Sequence, residues 1–521
     1  MFNDEGVLLK VTQHFFQKGL IVLAFWFGRR QVQRFTKKQP SKKSCEEVFF
    51  RVIRDPNHDF KPANPLWLVE AAEWATSGVP PEHQPPECPL LTKFKEDVHE
   101  RGFHVEPGRA ARDALFMLDP EMAYLNHGSF GAAFRLAAEV QAWYQAQIER
   151  EPVHYFEGMQ LAAISMAKAE LSRFICARPR DVVAVSNATS AAAVVMASVP
   201  LGPGDFLLCT TMTYAAVANA LARTAERAGA GLIVVELDLY TLLAGDGAIA
   251  ARFRAALAAV PRGRVRLAVV DHIGSNPPIE FPLPAIIAAC RAAGAKVLVD
   301  GAHALGAVPL DVPALGADYY TSNCHKWLCT PKAAAFLWAA PAEQAVLVPR
   351  VTSHGYRVGF QGEFLWAGTT DETAWLAVPA ALAVIQAMGP GKQAAHARKM
   401  LAAAVPLLQA AFGTSVTLRC GTMSLLELPE LPDFPPTAVT AKQLHELLRS
   451  RFKVEVPISC WGGRLWVRIS AQLYNELRNY QRLADAISEL RRTEPAGASA
   501  YGGAPNGLAN GAAPPPALEQ M

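Results

Sequence analysis

The sequence predicts an α/β fold, with a mostly parallel sheet lying between helices in a large domain and a smaller α+β domain after it. Three observations predict it. Short, unbroken apolar runs recur at 182–185, 206–209, 232–235, 267–270, 296–299 and 334–338. Ala-rich stretches with helical spacing lie between them, at 215–228, 248–259 and 284–293. After Asp371 the pattern changes to longer helical stretches and shorter strands. Strands that are apolar along their whole length need cover on both faces, and helices joining parallel strands supply it.

In chain order, the 521 residues divide into an extension (1–115), a large domain (116–375), a small domain (376–493) and a tail (494–521). The extension carries the apolar run GLIVLAFWFG at 19–28. This is too short to span a membrane, which takes about 20 residues. In length it resembles the core of a signal peptide, but Arg29, Arg30 and Arg34 follow it rather than a small-residue cleavage site. Asp4 and Glu5 interrupt a clean organelle leader. The expectation is a poorly ordered or peripherally packed extension in a cytoplasmic protein, with organelle targeting open. The segment 77–89 (SGVPPEHQPPECP) reads as a Pro-rich linker. In the large domain a further strand is expected at 318–321. In the small domain, helical stretches at 372–388 and 394–412 lead to strands at 415–418, 424–428 and 465–469, alternating with helices at 440–450 and 474–490. The last 28 residues are mostly Ala, Gly, Pro and Asn, almost without charge, and are expected to be disordered.

Composition excludes several classes. With 51% hydrophobic and 19% charged residues the chain can bury a large core. The net charge of +3 is uneven: residues 1–50 carry nine basic and four acidic side chains, so the other 471 sum to −2. A nucleic-acid binder concentrates positive charge on its folded body, so neither a nucleic acid nor a membrane is expected as a partner. The nine cysteines form no CxxC pair and no metal-ligand spacing, which predicts free thiols and no metal site.

Four motifs at strand ends carry the chemistry, since functional groups in such folds gather at the carboxyl ends of strands. Ser186-Asn187-Ala188-Thr189-Ser190 opens a helix and can hold an anion through backbone N–H groups and hydroxyls. Asp300-Gly301-Ala302-His303 places an acid at the end of a buried strand, where it needs a cation or donors. Ser322-Asn323-Cys324-His325-Lys326-Trp327 places a lysine where a lowered pKa makes it an amine nucleophile. Thr213-Tyr214 offers an aromatic ring to stack on a planar group. Each has a plainer reading alone: an ordinary N-cap, a capping Asp, a polar surface pair, a core tyrosine.

In this order the motifs resemble the pyridoxal phosphate (PLP) site of class V aminotransferase-type enzymes of fold type I, over about 120–490. Tyr124-Leu125-Asn126-His127-Gly128-Ser129-Phe130-Gly131 and Trp366-Ala367-Gly368-Thr369-Thr370-Asp371 resemble most the isopenicillin N epimerase and cysteine desulfhydrase-like branch. The resemblance implies that Lys326 forms the Schiff base with the cofactor and shuttles the α-proton. It implies that Asp300 pairs with the pyridine nitrogen, that His303 sits near the ring hydroxyl and that Tyr214 stacks on the ring. It gives the phosphate to Ala188 and Thr189, with His325 helping. Thr369 reaches the phosphate of a neighbouring subunit, which implies a homodimer with shared sites. Arg468 clamps the substrate α-carboxylate, with Asn126, His127 and Ser275 also on the substrate side.

The expected reaction is C–S lysis on cysteine or a cysteine-derived amino acid. Epimerisation and transamination are the alternatives within the enzyme class, and an inactive scaffold is the alternative outside it. The segment 351–368 contains no cysteine, and Cys324 and Cys329 flank Lys326 too closely for a swinging persulfide carrier, which disfavours a desulfurase. In Asp271-His272-Ile273-Gly274-Ser275-Asn276-Pro277, Gly274 stands where relatives carry a polar residue; Ser275 or Asn276 is the substitute.

Overall fold

A computed structural model describes residues 64–492. The expectations for the 19–28 run and for the tail lie outside the described residues. The strands, in chain order, are β1 (Ala123–Tyr124), β2 (Val182–Val185), β3 (Phe206–Thr210), β4 (Gly231–Val235), β5 (Val265–Asp271), β6 (Lys296–Asp300), β7 (Tyr319–Asn323), β8 (Ala335–Ala339), β9 (Thr417–Arg419), β10 (Met423–Glu427), β11 (Val454–Glu455), β12 (Ile458–Trp461) and β13 (Arg464–Ser470).

Seven of them form the large sheet, in the order β2-β8-β7-β6-β5-β3-β4. Pairing is parallel from β7 to β4, and β8 alone runs against its neighbours. Successive residues alternate between two apolar clusters: Val297 and Val299 belong to one, Leu298 to the other. This is the pattern of a sheet covered on both faces. The small domain holds the antiparallel sheet β12-β13-β10-β9, with its own core beneath the helices Lys392–Phe412 and Leu477–Arg492.

Three departures from expectation have physical causes. The helical stretch 372–388 is two helices, Thr373–Leu376 and Val378–Met388. Pro379 sits in the first turn of the second, where a missing N–H is tolerated, and it cannot continue the first. Strand β12 was not expected; it turns into β13 through Gly462 and Gly463, both at positive φ (58° and 69°), as a two-residue hairpin requires.

The third departure is in the extension, which is structured from residue 64. Helix Leu66–Ser77 buries Leu68, Ala71 and Ala75 on one face and packs on helices Gln160–Phe174 and Gly359–Leu365. Trp67 meets the edges of His354 and Trp366, at centroid distances of 6.3 and 5.5 Å, and Asn64 Nδ2 donates to the Tyr356 carbonyl at 3.0 Å. The Pro-rich segment is the connection from this helix to helix Pro89–Arg101 and includes a single turn at Pro81–His83. Among the described residues no single helix is long and apolar enough to cross a membrane.

If the Leu66–Ser77 helix is part of the cooperative unit, Leu68→Ala should cost about 2–5 kcal/mol in urea unfolding of the full chain. A change below about 0.5 kcal/mol would mean that the helix docks without contributing to stability.

Candidate active site

The carboxyl ends of β5, β6 and β7 converge. In the parallel register Asp271 pairs with Asp300, and Asp300 with Thr321. Just beyond β7 the chain makes a closed excursion that carries Lys326 and returns as β8. Asn323 pairs with Ala335, and Cys324 and His325 both donate their N–H groups to the Ala334 carbonyl. Gly131 of the opening motif packs against this turn at φ 70°; a Cβ there would lie 2.3 Å from the His325 carbonyl oxygen.

Lys326 Nζ lies 3.0 Å from His303 Nε2. Trp327 Nε1–H donates to His303 Nδ1 at 3.4 Å, so the neutral imidazole carries its proton on Nε2. That proton points at Nζ, which accepts it only as a neutral amine. Burial pulls the Lys326 pKa down to about 8; Asp300 opposes the fall, Arg468 adds to it and Asp271 opposes it. Burial holds His303 well below its ordinary value, and Lys326 and Arg468 push the same way. Asp300 is raised by burial, against an N–H donated by Ala302 at 3.0 Å and the charge of Lys326. Asp271 is raised much further, by burial and by Asp300, and its Oδ2 has no hydrogen-bond partner.

At the start of helix Ala188–Ser198, Asn323 Oδ1 takes the Ala188 N–H at 2.9 Å and Asn187 Oδ1 takes that of Ser190 at 2.8 Å. The N–H and hydroxyl of Thr189 between them have no partner in the described structure. His325 donates Nδ1–H to Ala334 at 3.0 Å, which leaves Nε2 as its second polar atom; burial lowers its pKa to about 4. Tyr214 is 49% exposed at the head of helix Ala215–Ala228, so it is not a core tyrosine.

Arg468 on β13 is buried, and among the described residues no acidic side chain pairs with it. Its Nη1 donates to the carbonyl and hydroxyl of Ser275 (2.7 and 3.2 Å), and its Nη2 to Asn126 Oδ1 and the Ser129 hydroxyl (3.1 and 2.7 Å). The Nε–H has no partner. Burial lowers its pKa to about 10.

The sequence-predicted residues Lys326, Asp300, His303, Ala188, His325, Asn126, Ser275 and Arg468 therefore belong to one strand-end region. His127 is placed differently from the others. It is fully buried, donates Nε2–H to the Lys326 carbonyl at 3.0 Å and accepts from Tyr474 at 2.9 Å. Its ring braces the lysine turn from beneath. Thr369 is exposed, and no hydrogen bond joins it to these groups in its own chain among the described residues. Ser129, Asn323, Asp271 and Trp327 were not assigned roles from sequence, although all four lie inside motifs that sequence singled out.

A strand-end lysine beside an acid, an open helix start and an unpaired buried guanidinium, on this sheet order, define an α/β enzyme of fold type I. Comparison with known proteins agrees. Residues 135–458 match the family described as aminotransferase class V. A putative L-cysteine desulfhydrase of Oryza sativa subsp. japonica is 34% identical over 71% of this chain and 83% of its own. Isopenicillin N epimerase of Streptomyces clavuligerus is 30% identical over 72% and 96%. A solved cystine C–S lyase in complex with its product cysteine persulfide superposes with a TM-score of 0.62 over 71% of this chain and 98% of its own, at 18% identity, which shows a shared fold. The chain belongs to the aminotransferase class V family.

In cofactor-free protein, labelling of Lys326 by trinitrobenzenesulfonate, read by peptide mass spectrometry, should rise with pH through a midpoint near 8. A midpoint near the ordinary lysine value of about 10.4 would show that burial does not depress the amine.

Proposed function

We propose that the protein binds pyridoxal 5′-phosphate through Lys326 and cleaves the C–S bond of cysteine or a cysteine-derived amino acid. The observation that carries this is the pairing of a neutral-capable amine, Lys326 on His303, with a buried guanidinium, Arg468, that has only neutral partners. The residues present fit the cofactor. Lys326 would hold its aldehyde carbon, Asp300 its ring nitrogen, and His303 its ring hydroxyl. Tyr214 would cover its face. The unpaired Thr189 donors, the Ala188 helix start and His325 would hold its phosphate. When bound, it supplies an electron sink for negative charge at Cα.

The chain's own residues do the rest. Arg468 binds the α-carboxylate, for which a guanidinium fork suits both oxygens. Lys326 Nζ, neutral above pH about 8, removes the α-proton. The His303 Nε2–H steadies Nζ. The proton then on Nζ is available to the sulfur that leaves Cβ. His127 fixes the backbone of the lysine turn and so sets where Nζ starts. Cys324 and Cys329 are fully buried, and burial pushes both thiols far up, so neither is a thiolate ready to take sulfur. This supports lysis over persulfide transfer. The 34% identical relative is named for cysteine desulfhydration, which supports the same reading. Epimerisation is the second reading, favoured by the 30% identical epimerase. We further propose a homodimer, because Thr369 and Tyr214 are exposed in one chain although both would serve the cofactor.

Purified protein given the cofactor should show a visible band at roughly 410–430 nm and release sulfide and pyruvate in equal amounts from L-cysteine. Lys326→Ala should lose the band and about 10²–10⁴-fold in rate. Formation of D-isomer without sulfide would replace lysis by epimerisation. Sedimentation equilibrium should give twice the chain mass of 56.3 kDa; a single-chain mass would refute shared sites.

A further inference from the structure

The guanidinium of Arg468 is held from behind by a chain of side chains that ends on a carboxylate. Each Nη has one fixed acceptor and one rotatable hydroxyl. Nη1 has the Ser275 carbonyl and the Ser275 hydroxyl; Nη2 has Asn126 Oδ1 and the Ser129 hydroxyl. The unpartnered Nε–H and the N–H bonds facing hydroxyls are the donors a carboxylate can take. The two fixed acceptors set the plane of the fork.

One of those acceptors is an amide, and an amide can turn over within the same envelope. Asn126 Oδ1 accepts from Arg468 Nη2 and also from the Ser129 hydroxyl at 2.5 Å. Its Nδ2 donates to Glu455 Oε1 at 2.9 Å. Turned over, it would set donors against the guanidinium and a hydroxyl, and an oxygen against a carboxylate. An ionised carboxylate has no donor, so Glu455 permits only the first orientation. His445 Nε2 meets the same Oε1 at 3.0 Å from the outer side. Burial alone would raise the Glu455 pKa, but hydrogen bonds from His445 and Asn126 outweigh it and hold the group below the usual range. The backbones are tied as well: Tyr124 pairs with Glu455, and Leu125 N–H donates to the Glu455 carbonyl at 2.9 Å.

We propose that Glu455 is a positioning residue for the substrate carboxylate clamp, acting through the Asn126 amide to set the Arg468 fork, with His445 holding Glu455 in place. The proposal rests on Arg468 taking the α-carboxylate.

The test uses holoenzyme and two readouts: KM and kcat for L-cysteine, and calorimetric Kd for 3-mercaptopropionate, which has the carboxylate and thiol of cysteine but no amine. Glu455→Leu should raise both KM and Kd about tenfold, as expected for one hydrogen bond to a charged group, with kcat within about twofold and the visible band intact. Glu455→Gln keeps an acceptor but adds a donor that tolerates the turned amide, so both values should fall between wild type and Glu455→Leu. In an Asn126→Ala background, Glu455→Leu should add nothing further. Unchanged Kd in a folded Glu455→Leu, or a full effect on the Asn126→Ala background, overturns the proposal. If the leucine variant does not fold, Glu455→Ser gives the same reading without the apolar load. Failure of the underlying reading looks different, since Arg468→Ala would then leave the 3-mercaptopropionate Kd unchanged. Absence of sulfide with normal Kd shifts would sink lysis and leave the Glu455 role standing.

Discussion

Two carboxylates at the ends of neighbouring parallel strands cannot both be ionised once they are buried. Register makes Asp271 and Asp300 such a pair. Asp300 has a backbone donor and the lysine to stabilise its charge, whereas Asp271 has an oxygen with no partner and is pushed higher. Of the two, Asp300 is the better stabilised as an anion. Its charge opposes the burial and the Arg468 field that pull the Lys326 amine down. The protonation level of the Lys326 amine thus depends on strand register. A slip of one residue would turn one carboxylate to the opposite face of the sheet.

The clamp depends on a second long-range arrangement. Ala123–Tyr124 pairs with Val454–Glu455, and Leu125 accepts the Ser470 N–H at 2.8 Å. Asn475 Nδ2 reaches the Tyr124 carbonyl at 2.9 Å, and Tyr474 reaches His127. The opening motif is thereby sewn to the end of β13 and to the loop that follows it. Substrate-side and lysine-side groups meet only because residues more than 300 positions apart are held by backbone bonds.

Sequence exposed what is local and missed what is distant. The seven strands of the large sheet were legible because burial on both faces leaves unbroken apolar runs, as at 267–270 and 296–299. The strand-end motifs were legible because chemistry demands particular side chains next to those runs. Helix Leu66–Ser77 was not legible. It follows Pro65 and leads into the Pro-rich segment, and its burial depends on helices nearly one hundred and nearly three hundred residues away. Strand β12 has a local signal, the Gly462-Gly463 pair, which suits a two-residue hairpin. The resemblance of the opening motif puts His127 on the substrate side; the structure packs its ring against Trp327, at 4.8 Å between centroids. Glu455 had no signal at all, since its partner Asn126 is 329 positions away.

The antiparallel return of the chain after Lys326 has a consequence for motion. The lysine sits on a loop whose two stems are paired strands, with Gly131 pressed against its floor and His127 bonded to its carbonyl. Such a backbone has little freedom to swing. In the proposed reaction, movement of Nζ comes from its own four-carbon chain, through rotamer changes on the picosecond-to-nanosecond scale of side chains. The amine is a mobile arm on a stiff mount.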